Sequence, residues 1–213
     1  MQEKHTVLLF MKFGSKENIE DLFNNGTIYM NPLQKFRELE DEELRGDSYE
    51  GVSSILNIPA GDIEIPSLNF KGKYHSLHLR GSREKITGNV FCLYCISSYG
   101  FNNPEDIKVD EKVKLFGSHV LFIKDKQEFL NRVENKLKSL NLKYNYNFVE
   151  YYDKDKINGT VHLFQKPLEF EYQKEFRFYV EKDEIEPISF SIGSLENIAE
   201  IHEIQTIDTL VVR

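Results

Sequence analysis

The sequence has no tryptophan and only two cysteines in 213 residues. Aromatic packing therefore falls to 16 Phe and 11 Tyr, which are expected to dominate the core. Cys92 and Cys95 stand three apart and make no disulfide framework, so a reducing cytoplasm is the expected compartment. No run approaches the roughly 18–20 apolar residues that span a bilayer. The short apolar run Val7–Phe10 is followed by no small-residue cleavage site, so no signal peptide is read. Also missing are the glycine-rich phosphate loops G-x-x-x-x-G-K-S/T and G-x-G-x-x-G, the G-x-S-x-G elbow and H-E-x-x-H. Simple nucleotide hydrolysis and the common hydrolase schemes thus lack motif support.

What is there is acidic. Lys and Arg number 27 against 35 Asp and Glu, a net charge of −8 and a pI near 5.4. Such a chain is repelled by a phosphate backbone, which argues against non-specific nucleic-acid binding. The length suffices for a real core without disulfide or metal. With no linker, repeat or low-complexity tract, residues 1–213 read as a single domain.

The patterning predicts an α+β fold: mixed, mostly antiparallel sheet with a few amphipathic helices. His5–Phe13, Asn89–Ser98 and Ser118–Lys124 are apolar on both faces, as buried strands are. Helices are predicted over 15–25, capped by Ser15 and stopped by Gly26, and over 125–140, capped by Asp125. Residues 52–66 read as strands around an Ala60-Gly61-Asp62 turn, and Tyr74–Arg80 as a further strand. Tyr99–Lys108 reads as a mobile loop and Glu40–Glu43 as a solvated acidic face. From Tyr144 on, strand follows strand. Gly193-Ser194 is expected to open a short helix, and Thr206–Arg213 to close the chain as a strand.

The stretch Phe170–Val180 is the leading site candidate. Read as one strand, it puts Phe170, Tyr172, Phe176, Phe178 and Val180 on one face, broken only by Lys174. The other face carries Glu171, Gln173, Glu175, Arg177 and Tyr179 and is expected to be half-exposed. The alternative candidate, a zinc site from Cys92-x-x-Cys95 with His75-x-x-His78, lacks its context. A zinc knuckle needs a turn between its cysteines, whereas these lie in a continuous apolar strand and face opposite sides. We read no metal site and two buried thiols.

Gln173-x-Glu175 resembles the Q-x-E motif of ADP-ribosyltransferases of the arginine-serine-glutamate group. In that group the glutamate holds the nicotinamide-ribose 2′-hydroxyl and stabilises oxocarbenium character as nicotinamide leaves. The resemblance implies a supporting serine pair, here Ser97 and Ser98, and an arginine for the NAD phosphates, here Arg80 or Arg45. The serine motif lacks its threonine, and no pattern pins the arginine.

Over most of its length the chain also resembles a bacterial and phage family, the "domain of unknown function twenty-nine seventy-one" type. The likeness lies in Asn18–Asn31, in Arg45-Gly46-Asp47-x-x-Glu50-Gly51, in Val90–Ser98, in Leu115-Phe116-Gly117 with Val120–Ile123, and in Lys166 with Tyr172–Phe178. It implies a mixed α/β domain found near phage-defence loci, and it marks Asp47, Glu50, Glu175 and Arg177 as positions to test.

The combined expectation is a cytoplasmic protein of bacterial or phage conflict systems with a polar cleft. Its catalytic group would be Glu175 with Gln173 and Arg177, and its binding residues Arg45, Asp47, Glu50, Arg80, Ser97 and Ser98. No cofactor is called; NAD is the candidate substrate, for ADP-ribosyl transfer or cleavage. The alternative is a non-catalytic acidic binder that engages a protein partner with a basic surface.

Overall fold

A computed structural model describes residues 6–38, 46–82, 86–98 and 109–209. The expectations for Arg45, for Glu40–Glu43 and for the Tyr99–Lys108 loop lie outside the described residues.

The fold is α+β, built on a mostly antiparallel sheet. Its strands are β1 (Val7–Gly14), β2 (Thr27–Pro32), β5 (Asn89–Ser97), β6 (His119–Ile123), β7 (Tyr144–Phe148), β11 (Glu175–Val180), β12 (Ile188–Ser191) and β13 (Ala199–Glu203). The path runs β12-β2-β5-β1-β6-β13, with β11 on the other edge of β5 and β7 beyond it. A second sheet joins β3 (Val52–Ile65), β4 (Phe70–Ser82) and β9 (Gly159–Thr160), and β8 (Glu150–Tyr152) pairs in parallel with β10 (Gln165–Pro167). The helices are α1 (Lys16–Asn25), α2 (Leu33–Glu38), α3 (Glu111–Lys114) and α4 (Lys126–Ser139). Among the described residues no helix is long and apolar enough to cross a membrane.

Both predicted caps form: Ser15 Oγ accepts the Asn18 N–H and Asp125 Oδ1 accepts the Glu128 N–H. Alternation then sorts β5 and β11 between two cores. Phe91, Leu93 and Cys95 join Phe176, Phe178 and Val180 in the main core, under Ile19 and Leu22 of α1 and Phe129, Val133 and Leu137 of α4. Its centre is aromatic: Phe176 lies 4.9 Å from Phe10, 5.3 Å from Phe148 and 5.6 Å from Phe178, ring centre to ring centre. On the opposite face Met11, Phe13, Tyr94 and Ile96 pack with Val113 and Ile207. Cys92 and Cys95 face opposite sides, as the strand period requires.

Four local expectations are corrected. Residues 168–173 form a 3-10 turn rather than strand, and Lys174, at φ 38°, closes it in the left-handed region; β11 begins only at Glu175. Lys174, the one polar break in the apolar face, therefore marks where the alternation truly starts. Ala60-Gly61-Asp62 is not a turn but the middle of β3, because Gly61 leaves room for the Tyr74 ring to lie across it. The reversal comes at Pro66–Leu68, with Asn69 left-handed. Gly193-Ser194 opens no helix: a turn leads into β13, which pairs with β6. Residues Ile204–Thr209 are a 3-10 turn rather than strand, and 210–213 lie outside the described residues.

Phe178 is fully buried at the aromatic centre. Phe178→Ala is expected to lower the unfolding free energy by about 3–5 kcal/mol, read as a fall in urea midpoint with an unchanged slope.

Candidate functional site

The central strand β5 has a gap on one edge. On that edge β1 pairs with residues 94–97 and β2 with 89–90, while β11 takes the opposite edge over 89–94. Among the described residues, Phe91, Cys92 and Leu93 thus have no strand partner on this edge, between β1 and β2. Lys12 reaches into the fork: its Nζ donates to the Cys92 carbonyl at 2.7 Å and sits 4.4 Å from the Phe91 ring centre. A crevice of about 780 Å³ opens here, walled by Gly14 and Ser15 at the start of α1, by Thr27, Tyr29 and Asn31 of β2, and by Lys35 and Phe36 of α2. Lys166, Gln173, Glu175 and Arg177 line it as well.

Those four side chains belong to a buried ionic network. Arg177, 1% exposed, donates from Nε to Glu175 (2.6 Å), from Nη1 and Nη2 to both Glu50 oxygens (2.9 and 3.0 Å), and from Nη1 to the Leu163 carbonyl (2.6 Å). The paired Glu50 contacts have the bidentate geometry that a planar guanidinium favours. Lys166 Nζ donates to Gln173 Oε1 (2.8 Å) and Glu175 Oε2 (3.2 Å). The Cys92 thiol also hydrogen-bonds the Glu175 carboxylate, and the Glu175 N–H donates to Tyr151 Oη at 2.9 Å.

The predicted polar face is therefore buried at its centre rather than half-exposed throughout: Glu175 of β11 is 4% and Gln173, in the 3-10 turn before it, 8% accessible, while Glu171 and Tyr179 are half-buried. The cause is the loop that ends at Gly51, whose Glu50 stands 127 residues before Arg177 in the sequence. Gly51 takes φ +77°, and a Cβ there would strike Ile86, so glycine permits the close turn that drops Glu50 onto Arg177.

Electrostatics follow from counting. Asp47, Glu50 and Glu175 face Arg177 and Lys166, so with all five ionised the sum is 2 − 3 = −1. Asp47 is the surplus acid. Burial pushes its carboxyl up, Lys166 pulls it down and Glu50 pushes it up again, leaving it at about 6. Burial also opposes the Glu175 charge, but Arg177, Lys166 and the hydrogen bonds outweigh it and hold this carboxyl well below the usual range. Burial likewise opposes the Lys166 charge and Arg177 adds to that; Glu175, Asp47 and Glu50 together outweigh both and keep the ammonium protonated. Burial and the neighbouring Glu175 push the Cys92 thiol up to about 12, so it is no thiolate nucleophile.

The predicted residues thus separate. Gln173, Glu175 and Arg177 come together at the crevice; Asp47 and Glu50 belong to the network behind it. Arg80 is exposed on β4, its guanidinium carbon 4.8 Å from the Tyr49 ring centre, and does not line the crevice. Ser97 opens on a separate pocket of about 190 Å³, and exposed Ser98 exchanges hydrogen bonds with the Thr6 backbone. Arg45 lies outside the described residues. Lys166 was absent from the predicted site residues; its signals were its place in the family resemblance and its position as a lone cation between Leu163-Phe164 and Pro167-Leu168. Tyr151 and Cys92 reach the network through strand pairing and had no local signal. Among the described residues no group of three or more His, Cys, Asp or Glu could hold a metal ion.

No family model, curated protein or solved structure matches the chain.

Two outcomes are expected. Arg177→Met leaves Glu50 and Glu175 buried without their cation and should cost about 3–5 kcal/mol in denaturant unfolding, with Arg177→Lys recovering only part. Asp47 has a raised carboxyl, so the stability from its protonation is full below about pH 3.8 and is lost as pH rises through about 6. Asp47→Asn should remove that component. Relative to the variant, the parent loses on the order of 2–3 kcal/mol between pH 4 and 7, measured by urea midpoints.

Proposed function

We propose that the crevice is the active site of an enzyme acting on NAD, by ADP-ribosyl transfer or by cleavage to nicotinamide. The observation that carries this reading is the convergence of Gln173, Glu175 and Arg177 on one concave site of about 780 Å³, within the range of small-molecule sites.

The chemistry asks for a fixed anion. As the ribose C1–N bond breaks, its electron pair leaves with nicotinamide and positive charge develops on the ribose. A new bond then forms from C1 to water or to an acceptor side chain, which sheds its proton. Glu175 stays ionised, so it serves as electrostatic stabiliser and ribose-hydroxyl acceptor, not as general base. A carboxylate offers about four acceptor positions. Arg177, Lys166 and Cys92 occupy three, which leaves one for substrate. Lys12 and exposed Lys35 supply positive charge for the diphosphate. The setting in bacterial or phage conflict systems rests on the family resemblance of the sequence.

One observation favours the competing reading, a non-catalytic acidic protein for a basic partner. Glu175 and Arg177 pair with each other, and Glu50 completes the clamp, as a purely structural network would.

Turnover of labelled NAD separates the two, with the protein alone and with a cell lysate supplying acceptors. The enzyme reading expects nicotinamide release or label transfer that falls about 100-fold or more in Glu175→Gln. It also expects a KM raised about 5–10-fold in Lys35→Ala, whose exposed side chain is not part of the core. Circular dichroism establishes that each variant is folded. No turnover by the folded parent under either condition sinks the enzyme reading in favour of the binder.

A further inference from the structure

From Leu56 to Ser82 the β3–β4 ribbon contains no buried residue. It stands off the body as an arm, anchored at its base by Val52, Ile55 and the short pairing with β9. A two-stranded ribbon with bare faces is marginal in water. This one keeps an unbroken register from Leu56↔Leu79 to Ile65↔Phe70, so alternate residues on both strands share a face.

One face carries a pattern. Near the base Leu56 pairs with Leu79 and Ile58 with Leu77; Leu56 is 48% and Leu79 49% exposed. Toward the tip the acids stand on β3 and the lysines on β4: Asp62 opposite Lys73, and Glu64 opposite Lys71, the latter pair 2.9 Å apart.

We propose that this face is a homodimer interface, covered by the same face of a second copy about a two-fold axis parallel to the arm. That rotation lays β3 of one copy over β4 of the other at equal height. The leucine–isoleucine patch then meets itself at the roughly 10 Å separation of packed sheets. The acid row of each copy falls over the lysine row of the other. Under this axis the patch is complementary to itself in both apolarity and charge, which is what an isologous contact requires and what selects a second copy over an unrelated partner. Lys71, Lys73 and Arg80 on β4, the free outer strand, discourage open-ended edge pairing, so association stops at two. The proposal is independent of the chemistry in the crevice.

Sedimentation equilibrium of the full chain tests it. The parent is expected to show a concentration-dependent dimer, and Leu56→Asp a folded monomer. Asp62→Lys with Glu64→Lys makes the charged tip of this face all basic, and Lys71→Glu with Lys73→Glu makes it all acidic. Each alone should weaken association about tenfold or more. An equimolar mixture should restore it as a heterodimer, which local damage to either arm would not do. A parent that is monomeric at every concentration, a dimer that persists in Leu56→Asp, or a mixture no better than its components would each overturn the proposal.

Discussion

The burial of Arg177 constrains the rest of the molecule. A guanidinium at 1% exposure is stable only with its charge met, and Glu175, two residues along the same strand, accepts its Nε–H. The two Nη groups need Glu50, which belongs to a loop that precedes the second sheet. The ion pair therefore ties the main sheet to the base of the β3–β4 arm. Lys166 brings a third segment, since it balances the second carboxylate oxygen of Glu175. The count leaves one acid over, and burial with the nearby Glu50 raises that acid, Asp47, to about 6.

The same strand faces two environments with opposite demands. Phe176, Phe178 and Val180 enter an aromatic core, while Glu175 and Arg177 point into the ionic network. Strand alternation alone produces that division. The crevice has a different origin. It exists because β1 and β2 diverge along one edge of β5, which leaves three residues of a central strand without a strand partner there. Lys12 satisfies one freed carbonyl with its ammonium.

The arm poses the inverse problem. Its residues from Leu56 outward lack the burial that stabilises the body, yet its cross-strand pairs are regular. Gly61 and Gly72 lie under the Tyr74 and Phe70 rings on the face opposite the leucine patch. One face thus lays aromatic rings over its glycines, with Phe70 still 49% exposed, and the other keeps Leu56 and Leu79 in water.

Much of this was legible in the chain. The apolar runs at 5–13, 89–98 and 118–124 specified central strands because burial on both faces leaves no polar period. Ser15 and Asp125 marked helix starts because capping is local chemistry. Gln173, Glu175 and Arg177 stood out because alternation read through from Phe170 put three polar groups on one face, although Gln173 lies in the 3-10 turn before β11 and joins the other two through Lys166. Only tertiary structure decided that this face is buried, that Lys166, Cys92 and Tyr151 join it, and that Arg80 and Ser97 stand elsewhere. It also decided that Lys174 is a left-handed hinge and Gly61 a strand residue. Period and capping are properties of near neighbours, so the sequence by itself determines them. The charge state and exposure of a side chain depend on groups distant in the chain, as Glu50 is from Arg177, and only the folded arrangement brings those together.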